Sequence, residues 1–199
     1  MNIWMTSVRD GYLPADFDWP NVEPVIREVK EGIEKGLEVR TEQIFQRHTP
    51  YVVRSLDFFK KFRGEGFEDV GDFDVLAYWP DTNTLVTVEC KYNLPAYTMK
   101  DSRRLRDRIF GKAEDDRAGQ FSRILRRRQF TGKNRARMLQ LLKWPVAVGK
   151  VQRDVELYVS RDVYYWMVHP PYFVPSKFVR VDALDSWIKN ELIRPPLER

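Results

Sequence analysis

Cysteine and histidine are nearly missing from this chain, whose 199 residues hold one cysteine, Cys90, and two histidines, His48 and His169. A single cysteine excludes an intrachain disulfide and a multi-cysteine zinc site. Two histidines so far apart supply a histidine-based metal centre poorly. Long apolar runs are missing too: no stretch of about eighteen residues is apolar enough to be read as a membrane span. The start, Met1-Asn2-Ile3-Trp4-Met5, lacks a basic stretch followed by an apolar one and does not read as a secretory signal. No G-x-x-x-x-G-K-[ST] phosphate loop, zinc-finger spacing, RNP1-type motif, internal repeat or low-complexity tract occurs. The expectation from these absences is a reducing, intracellular, cytoplasmic protein with no membrane partner.

What is present is ordinary for a folded domain, with 43% apolar and 32% charged residues. The length suits one domain with a real core. Residues 1–22 show no clear period and read as an N-terminal arm; residues 23–199 read as one domain. The net charge is +5, but it is unevenly placed. Between Asp101 and Arg137 thirteen Lys/Arg stand against five Asp/Glu, a local +8 that leaves −3 for the rest.

Apolar residues from Val22 to Phe45 recur at three- and four-residue steps, which predicts helix, with Gly32 and Gly36 as places where it divides and Thr49-Pro50 as its end. Strands are predicted over Tyr51–Phe59, Phe73–Trp79 and Leu85–Tyr92. Asp101 to about Leu142 reads as mostly helical, interrupted near Thr131-Gly132. Strands follow at Val155–Val159, Tyr164–Val168 and Phe178–Val181, then a short helix over Leu184–Ile193. The aromatic residues Tyr164, Tyr165, Trp166, Tyr172 and Phe173 are expected to pack the sheet. This order suggests a mixed sheet covered by helices.

The informative stretch runs from Gly71-Asp72-Phe73-Asp74 through the turn Pro80-Asp81-Thr82-Asn83 to Glu89-Cys90-Lys91. Alternate residues of a strand share a face. Closing the hairpin on Asp81-Thr82 sets Tyr78 opposite Leu85, Asp74 opposite Glu89 and Asp72 opposite Lys91. A slip of one residue would send Glu89 to the wrong face. Facing carboxylates repel unless neutralised. A hard divalent cation neutralises them through oxygen ligands, polarises a phosphoryl oxygen and activates water. A nearby lysine orients that water or stabilises developing charge. A surface hairpin laced with cross-strand ion pairs is the plainer alternative. Cys90, on the opposite face, reads as a buried inert thiol.

The run from Gly71 to Asn93 resembles the core of the PD-(D/E)XK nuclease superfamily. It looks most like the Gly-(Glu/Asp)-x-Asp…Glu-x-Lys form of the nuclease-related domain, Holliday-junction-resolvase-like proteins and some restriction enzymes. That resemblance implies an α/β fold, an α/β/α sandwich with a mixed central sheet of restriction-endonuclease-like type, Mg²⁺ or Mn²⁺ as cofactor, and hydrolysis of DNA phosphodiester bonds. Carried over by position, Asp74 and Glu89 are the metal ligands and Lys91 is the catalytic lysine. Asp72 falls at a position that is often acidic and usually secondary. A helix carboxylate that joins the metal in such proteins falls on Glu42, with Glu38 one turn earlier as the alternative. Gln120 matches a glutamine that follows the hairpin and assists catalysis.

Arg123, Arg126, Arg127 and Arg128 follow Gln120 on the same predicted helix, leaving Ile124 and Leu125 for the core. Lys133, Arg135 and Arg137 extend the basic face. Guanidinium groups suit phosphate contacts, so Arg123, Arg126, Arg127, Arg128 and Lys133 are the expected DNA-binding residues; the alternative is a solvated helix paired with Glu114, Asp115 and Asp116. His48, near a helix end, is expected to cap it. The resulting expectation is a metal-dependent deoxyribonuclease whose partner is DNA, with a homo-oligomer or a larger assembly left open. The alternatives are an inactive nuclease-fold module that binds DNA or a protein, and a structural subunit of a phage or mobile-element assembly.

Overall fold

In the computed structural model, residues 22–93, 96, 98–111 and 119–193 are described. Residues 1–21, assigned to an arm, and Glu114, Asp115 and Asp116, the possible partners of the basic helix, lie outside that set.

Helix α1 spans Glu23–Gln46 and has a proline in its first turn, where the missing N–H costs nothing. It runs unbroken through Gly32 and Gly36, against the expected division. Both glycines lie on the exposed side. Their propensity cost of about 1 kcal/mol each is outweighed by the opposite face, where Leu37, Thr41, Ile44 and Phe45 are buried. Strand β1 is Val52–Leu56, shorter than expected. Asp57 stops it by capping the one-turn helix α2, Phe58–Lys61, through a hydrogen bond from the Lys60 N–H. Strands β2, Phe73–Trp79, and β3, Thr84–Lys91, form the hairpin.

Helix α3 is Met99–Phe110, with Thr98 and Asp101 forming a capping box. Helix α4 is Gln120–Leu141. It continues through Thr131-Gly132, so the expected interruption there does not occur; Phe130, Thr131 and Arg135 are buried along this stretch and hold it to the sheet. Strand β4 is Arg153–Ser160 and β5 is Lys177–Arg180. Between them Tyr165–Val168 forms a one-turn helix, α5, rather than the expected strand. Strand β4 pairs directly with β5, so Tyr165–Val168 lies in the connection between two neighbouring parallel strands and does not come between them. Helix α6, Leu184–Ile188, passes into a π-helical turn, Lys189–Ile193.

The five strands lie in the order β1-β2-β3-β4-β5. The first two pairings are antiparallel and the last two parallel. This is an α/β architecture: an open mixed sheet flanked by helices. Val75, Ala77, Val86, Val88, Cys90, Leu157 and Val159 pack with Leu37, Ile44 and Phe45 of α1 and with Leu184 and Ile188 of α6. On the other face Leu76 packs with Phe130 and Met138 of α4, and Tyr158 with Ile109 of α3 and Phe121 and Ile124 of α4. Each fully buried large side chain in these layers contributes about 1.5–3 kcal/mol relative to exposure.

Some residues assigned to the core or to the basic face lie elsewhere. Leu125 is 42% exposed, and Tyr165 and Phe173 are 78% and 89% exposed, so they do not pack the sheet. Trp166 and Tyr172 do pack, edge-on against Phe110. Arg135 is buried. Its Nη2 donates to the Asn83 carbonyl (2.7 Å) and side-chain oxygen (2.9 Å), and its Nη1 pairs with Asp154. This arginine ties α4 to the β2–β3 turn, where Asn83 holds a left-handed φ of 47°. Arg137 pairs with Glu65 at 2.5 Å. His48 does not cap α1; its Nε2 lies 2.9 Å from Asp185 Oδ1.

Candidate active site

The observed β2–β3 register pairs Tyr78 with Leu85, Leu76 with Thr87 and Val75 with Val88. One step further along that register sets Asp74 across from Glu89. The apolar alternation explains the choice: Val86, Val88 and Cys90 must face α1, which turns Thr87, Glu89 and Lys91 toward α4. The candidate site therefore lies on the α4 face of the sheet, on the interior strands β2 and β3, where the antiparallel hairpin gives way to the parallel pair β3–β4.

Both carboxylates are buried, Asp74 at 5% exposure and Glu89 at 8%. Asp74 Oδ2 accepts the Cys90 N–H at 2.6 Å and lies 3.5 Å from Lys91 Nζ. Lys91 Nζ lies 2.8 Å from Glu89 Oε1. Glu89 Oε2 accepts from Arg127 Nη2. Arg127 Nη1 donates to the Asp72 carbonyl at 2.7 Å. Asp72 thus contributes its backbone to the site.

The electrostatics follow from this crowding. Burial first, and the Glu89 charge second, push the Asp74 carboxyl up to about 7, despite Lys91 and the Cys90 N–H. Burial works against the Lys91 ammonium, but Glu89 and Asp74 overcome it and hold the lysine charged well above its usual range. Burial raises the Cys90 thiol, which makes it a poor nucleophile.

Gln120 opens α4, and its Oε1 accepts from Tyr158 Oη at 2.9 Å. Tyr158 stands beside Glu89 in the β3–β4 register, and Asn93 Nδ2 donates to its hydroxyl at 3.2 Å. Gln120 is therefore brought toward the site through Tyr158. Glu42 Oε2 accepts from Arg54 Nε at 3.0 Å, and the same arginine lies 3.8 Å from Glu38 Oε2. Glu38, the alternative, acts on Asp74, whose carboxyl its charge helps raise. Glu38 is also tied to β1 by the Ser55 hydroxyl at 3.0 Å.

Arg123, Arg126, Arg128 and Lys133 are exposed along α4. Among the described residues the first three form no ion pair. Arg127 departs from them, since its side chain is 11% exposed and turned inward. Two groups in the site escape sequence reasoning. Glu156 of β4 lines a recess with Phe73, Thr87, Glu89, Ile124 and Arg127. Burial raises its carboxyl, and the Ser176 hydroxyl donates to it. Tyr158 is the other. An alternation signal along β4 points at both, but nothing local marks them as neighbours of Glu89.

A larger cavity, about 620 Å³, lies on the opposite side of the molecule and is lined by Arg40, Gln43, Arg47, Asp182 and Asp185. Its acids are already paired, Asp185 with Arg47 and His48 and Asp182 with Arg180. The carboxylate–lysine cluster is assembled on the other face of the sheet, away from this cavity.

No family model, no curated protein and no solved structure matches this chain. Among the described residues no three His, Cys, Asp or Glu side chains group closely enough to cage an ion. Mg²⁺ does not require such a cage, since it retains several waters and binds through one or two carboxylates plus substrate phosphates. Asp74 and Glu89, buried and mutually repelling, fit an ion of that kind.

Proposed function

We propose that this chain is a metal-dependent deoxyribonuclease of the PD-(D/E)XK type, with Asp74 and Glu89 as cation ligands and Lys91 as the catalytic lysine. The observation that carries this reading is the buried Asp74–Glu89 pair with a charged lysine bound between its members. A buried, repelling carboxylate pair costs stability unless it has a use. The mixed sheet flanked by helices supports the restriction-endonuclease-like form of the fold, and the three exposed arginines on α4 support DNA as the partner.

Asp74 and Glu89 would hold Mg²⁺ or Mn²⁺, which would supply a Lewis acid that makes water nucleophilic near neutral pH. Lys91 Nζ, anchored by Glu89, orients the attacking water or neutralises charge developing on the phosphate. Water adds to phosphorus and one P–O ester bond breaks, leaving a phosphate monoester and a hydroxyl. Arg123, Arg126, Arg128 and Lys133 hold the backbone through phosphate contacts that carry no sequence information. Gln120 and Tyr158 border the site and fix its wall.

One observation favours a second reading, a nuclease-fold module that binds DNA or a protein without cutting: the Arg127 guanidinium occupies Glu89. Cleavage of DNA in Mg²⁺ and in EDTA, by wild type and by Glu89→Gln, separates the two. Cutting in Mg²⁺ that EDTA and the substitution both abolish supports the nuclease. DNA binding without cutting supports the second reading.

A further inference from the structure

Arg127 belongs to the basic stretch of α4 in sequence but not in placement. Arg123, Arg126 and Arg128 are exposed, whereas the Arg127 side chain is 11% exposed and bound to Glu89, itself 9% exposed. Its second N–H reaches the Asp72 carbonyl at 2.7 Å. A carboxylate this buried needs a counter-charge, and Arg127 and Lys91 both supply one. A divalent cation taking Glu89 would sit against the Arg127 guanidinium on Oε2 and the Lys91 ammonium on Oε1, and like charges so close repel.

We infer that Arg127 is a switchable counter-ion that couples cation binding to DNA binding: it neutralises Glu89 while the site holds no cation, and it turns to a DNA phosphate when a divalent cation takes that carboxylate. The inference rests on reading Asp74 and Glu89 as cation ligands. Three features carry it beyond that reading. The guanidinium is a planar fork that fits phosphate as well as carboxylate. It projects from the turn of α4 that also carries Arg126 and Arg128, so a short swing joins it to an exposed basic surface. Glu156 lines the same recess, and the charges of Arg128 and then Arg127 act on its carboxyl without a direct ion pair, so an acid already faces both the inward and the exposed arginine.

The consequence is thermodynamic. Arg127 serves Glu89 or a phosphate, so each ligand frees what the other needs. Such coupling is reciprocal and commonly amounts to about 5- to 150-fold in affinity. Cation alone binds weakly because it must expel Arg127. DNA alone binds weakly because Arg127 is held inward.

The test compares wild type with Arg127→Gln, Arg127→Lys and, as a control on the exposed face, Arg126→Gln. Affinity for a labelled short duplex is measured by fluorescence anisotropy in EDTA and in Ca²⁺, with the duplex checked for integrity. Calorimetry measures Ca²⁺ binding to each protein without DNA. Wild type should gain at least about fivefold in DNA affinity on adding Ca²⁺, within the usual span of such couplings. Arg127→Gln should lose that gain and bind Ca²⁺ about tenfold more tightly on its own, as expected when a competing charge is removed. Arg127→Lys keeps the charge but loses the fork to Asp72; it should move in the same direction by less, and it guards against a misfolded Gln variant. Arg126→Gln should weaken DNA binding in both buffers and keep the gain. If Arg127→Gln keeps the wild-type gain, or binds Ca²⁺ no more tightly, the switch is wrong while the cation site stands. If neither protein binds Ca²⁺, the switch and the cation reading fall together.

Discussion

Lys91 Nζ lies 2.8 Å from Glu89 Oε1, two residues back on the same face of β3. The period of the strand allows this contact, because side chains at i and i+2 rise from the same face. The same register brings Asp74 across from β2, and Asp74 Oδ2 is 3.5 Å from the same ammonium. One lysine thus separates two buried acids, and the thermodynamic consequences of that arrangement can be measured without any assay of cleavage.

Asp74 makes the protein's stability depend on pH in a direction opposite to that of an ordinary salt-bridged aspartate. Its carboxyl is raised to about 7 in the folded protein, against about 3.9 in an unfolded chain. The folded state therefore binds the extra proton. The stability this gives is complete below about pH 4 and is lost as pH rises through about 7. Asp74→Asn, which stays neutral, should lack this loss and in EDTA at pH 8 should be more stable than wild type by on the order of 2–4 kcal/mol. Urea melts of both proteins at pH 5 and pH 8 check this, and Mn²⁺ should narrow the gap at pH 8. An Asn variant destabilised equally at both pH values would rule the linkage out.

Glu38 and Glu42 should separate cleanly. Glu38→Gln removes a charge that helps raise Asp74, so the pH-dependent loss of stability should move toward lower pH. Glu42→Gln should leave that transition in place and loosen only the pairing with Arg54. The same melts, run in EDTA, distinguish the two.

The exposed arginines should govern salt dependence. Replacing Arg123, Arg126 and Arg128 together by alanine should leave the fold intact and weaken DNA binding. In a plot of log affinity against log salt, the slope should become shallower by about 0.9 for each phosphate no longer neutralised. An unchanged slope would show that this face of α4 does not meet DNA.

Arg135 should behave as a structural residue. Arg135→Met takes one donor from each buried Asn83 oxygen, leaving the Tyr78 hydroxyl on the side chain and the Arg153 N–H on the carbonyl, which should cost on the order of 1–3 kcal/mol. Denaturant melts should show the loss, while the salt slope of DNA binding stays at the wild-type value.

The hairpin is the most legible part of the chain. Its valines alternate over β2 and β3, the turn is short, and one register keeps them all on the α1 side. That register predicts Asp74, Glu89 and Lys91 together. The limits have physical causes. Arg126, Arg127 and Arg128 are consecutive, and a helix spreads them over about 200°; which one points inward depends on how Phe121 and Ile124 seat against the sheet, a tertiary fact. Arg135 carries a full charge yet is buried, because its partners, Asn83 and Asp154, are distant in sequence. Tyr164–Val168 is a short apolar run, and periodicity alone does not separate a strand from a helical turn at that length. Asp57 reads as part of a strand until its side chain is seen to cap the next turn. Gly32, Gly36 and Gly132 suggest breaks that tertiary packing overrides.

The nuclease assignment stands or falls on cleavage of plasmid and single-stranded DNA by wild type and Lys91→Ala, side by side, in Mg²⁺, in Mn²⁺ and in EDTA. Wild type should cut only with the metal present, and the variant should cut about 10²-fold more slowly or worse, the size of effect seen when one charge-stabilising donor is removed from a reaction centre. Wild type that binds DNA but cuts neither substrate in either metal, or Lys91→Ala that cuts as fast as wild type, would overturn the assignment.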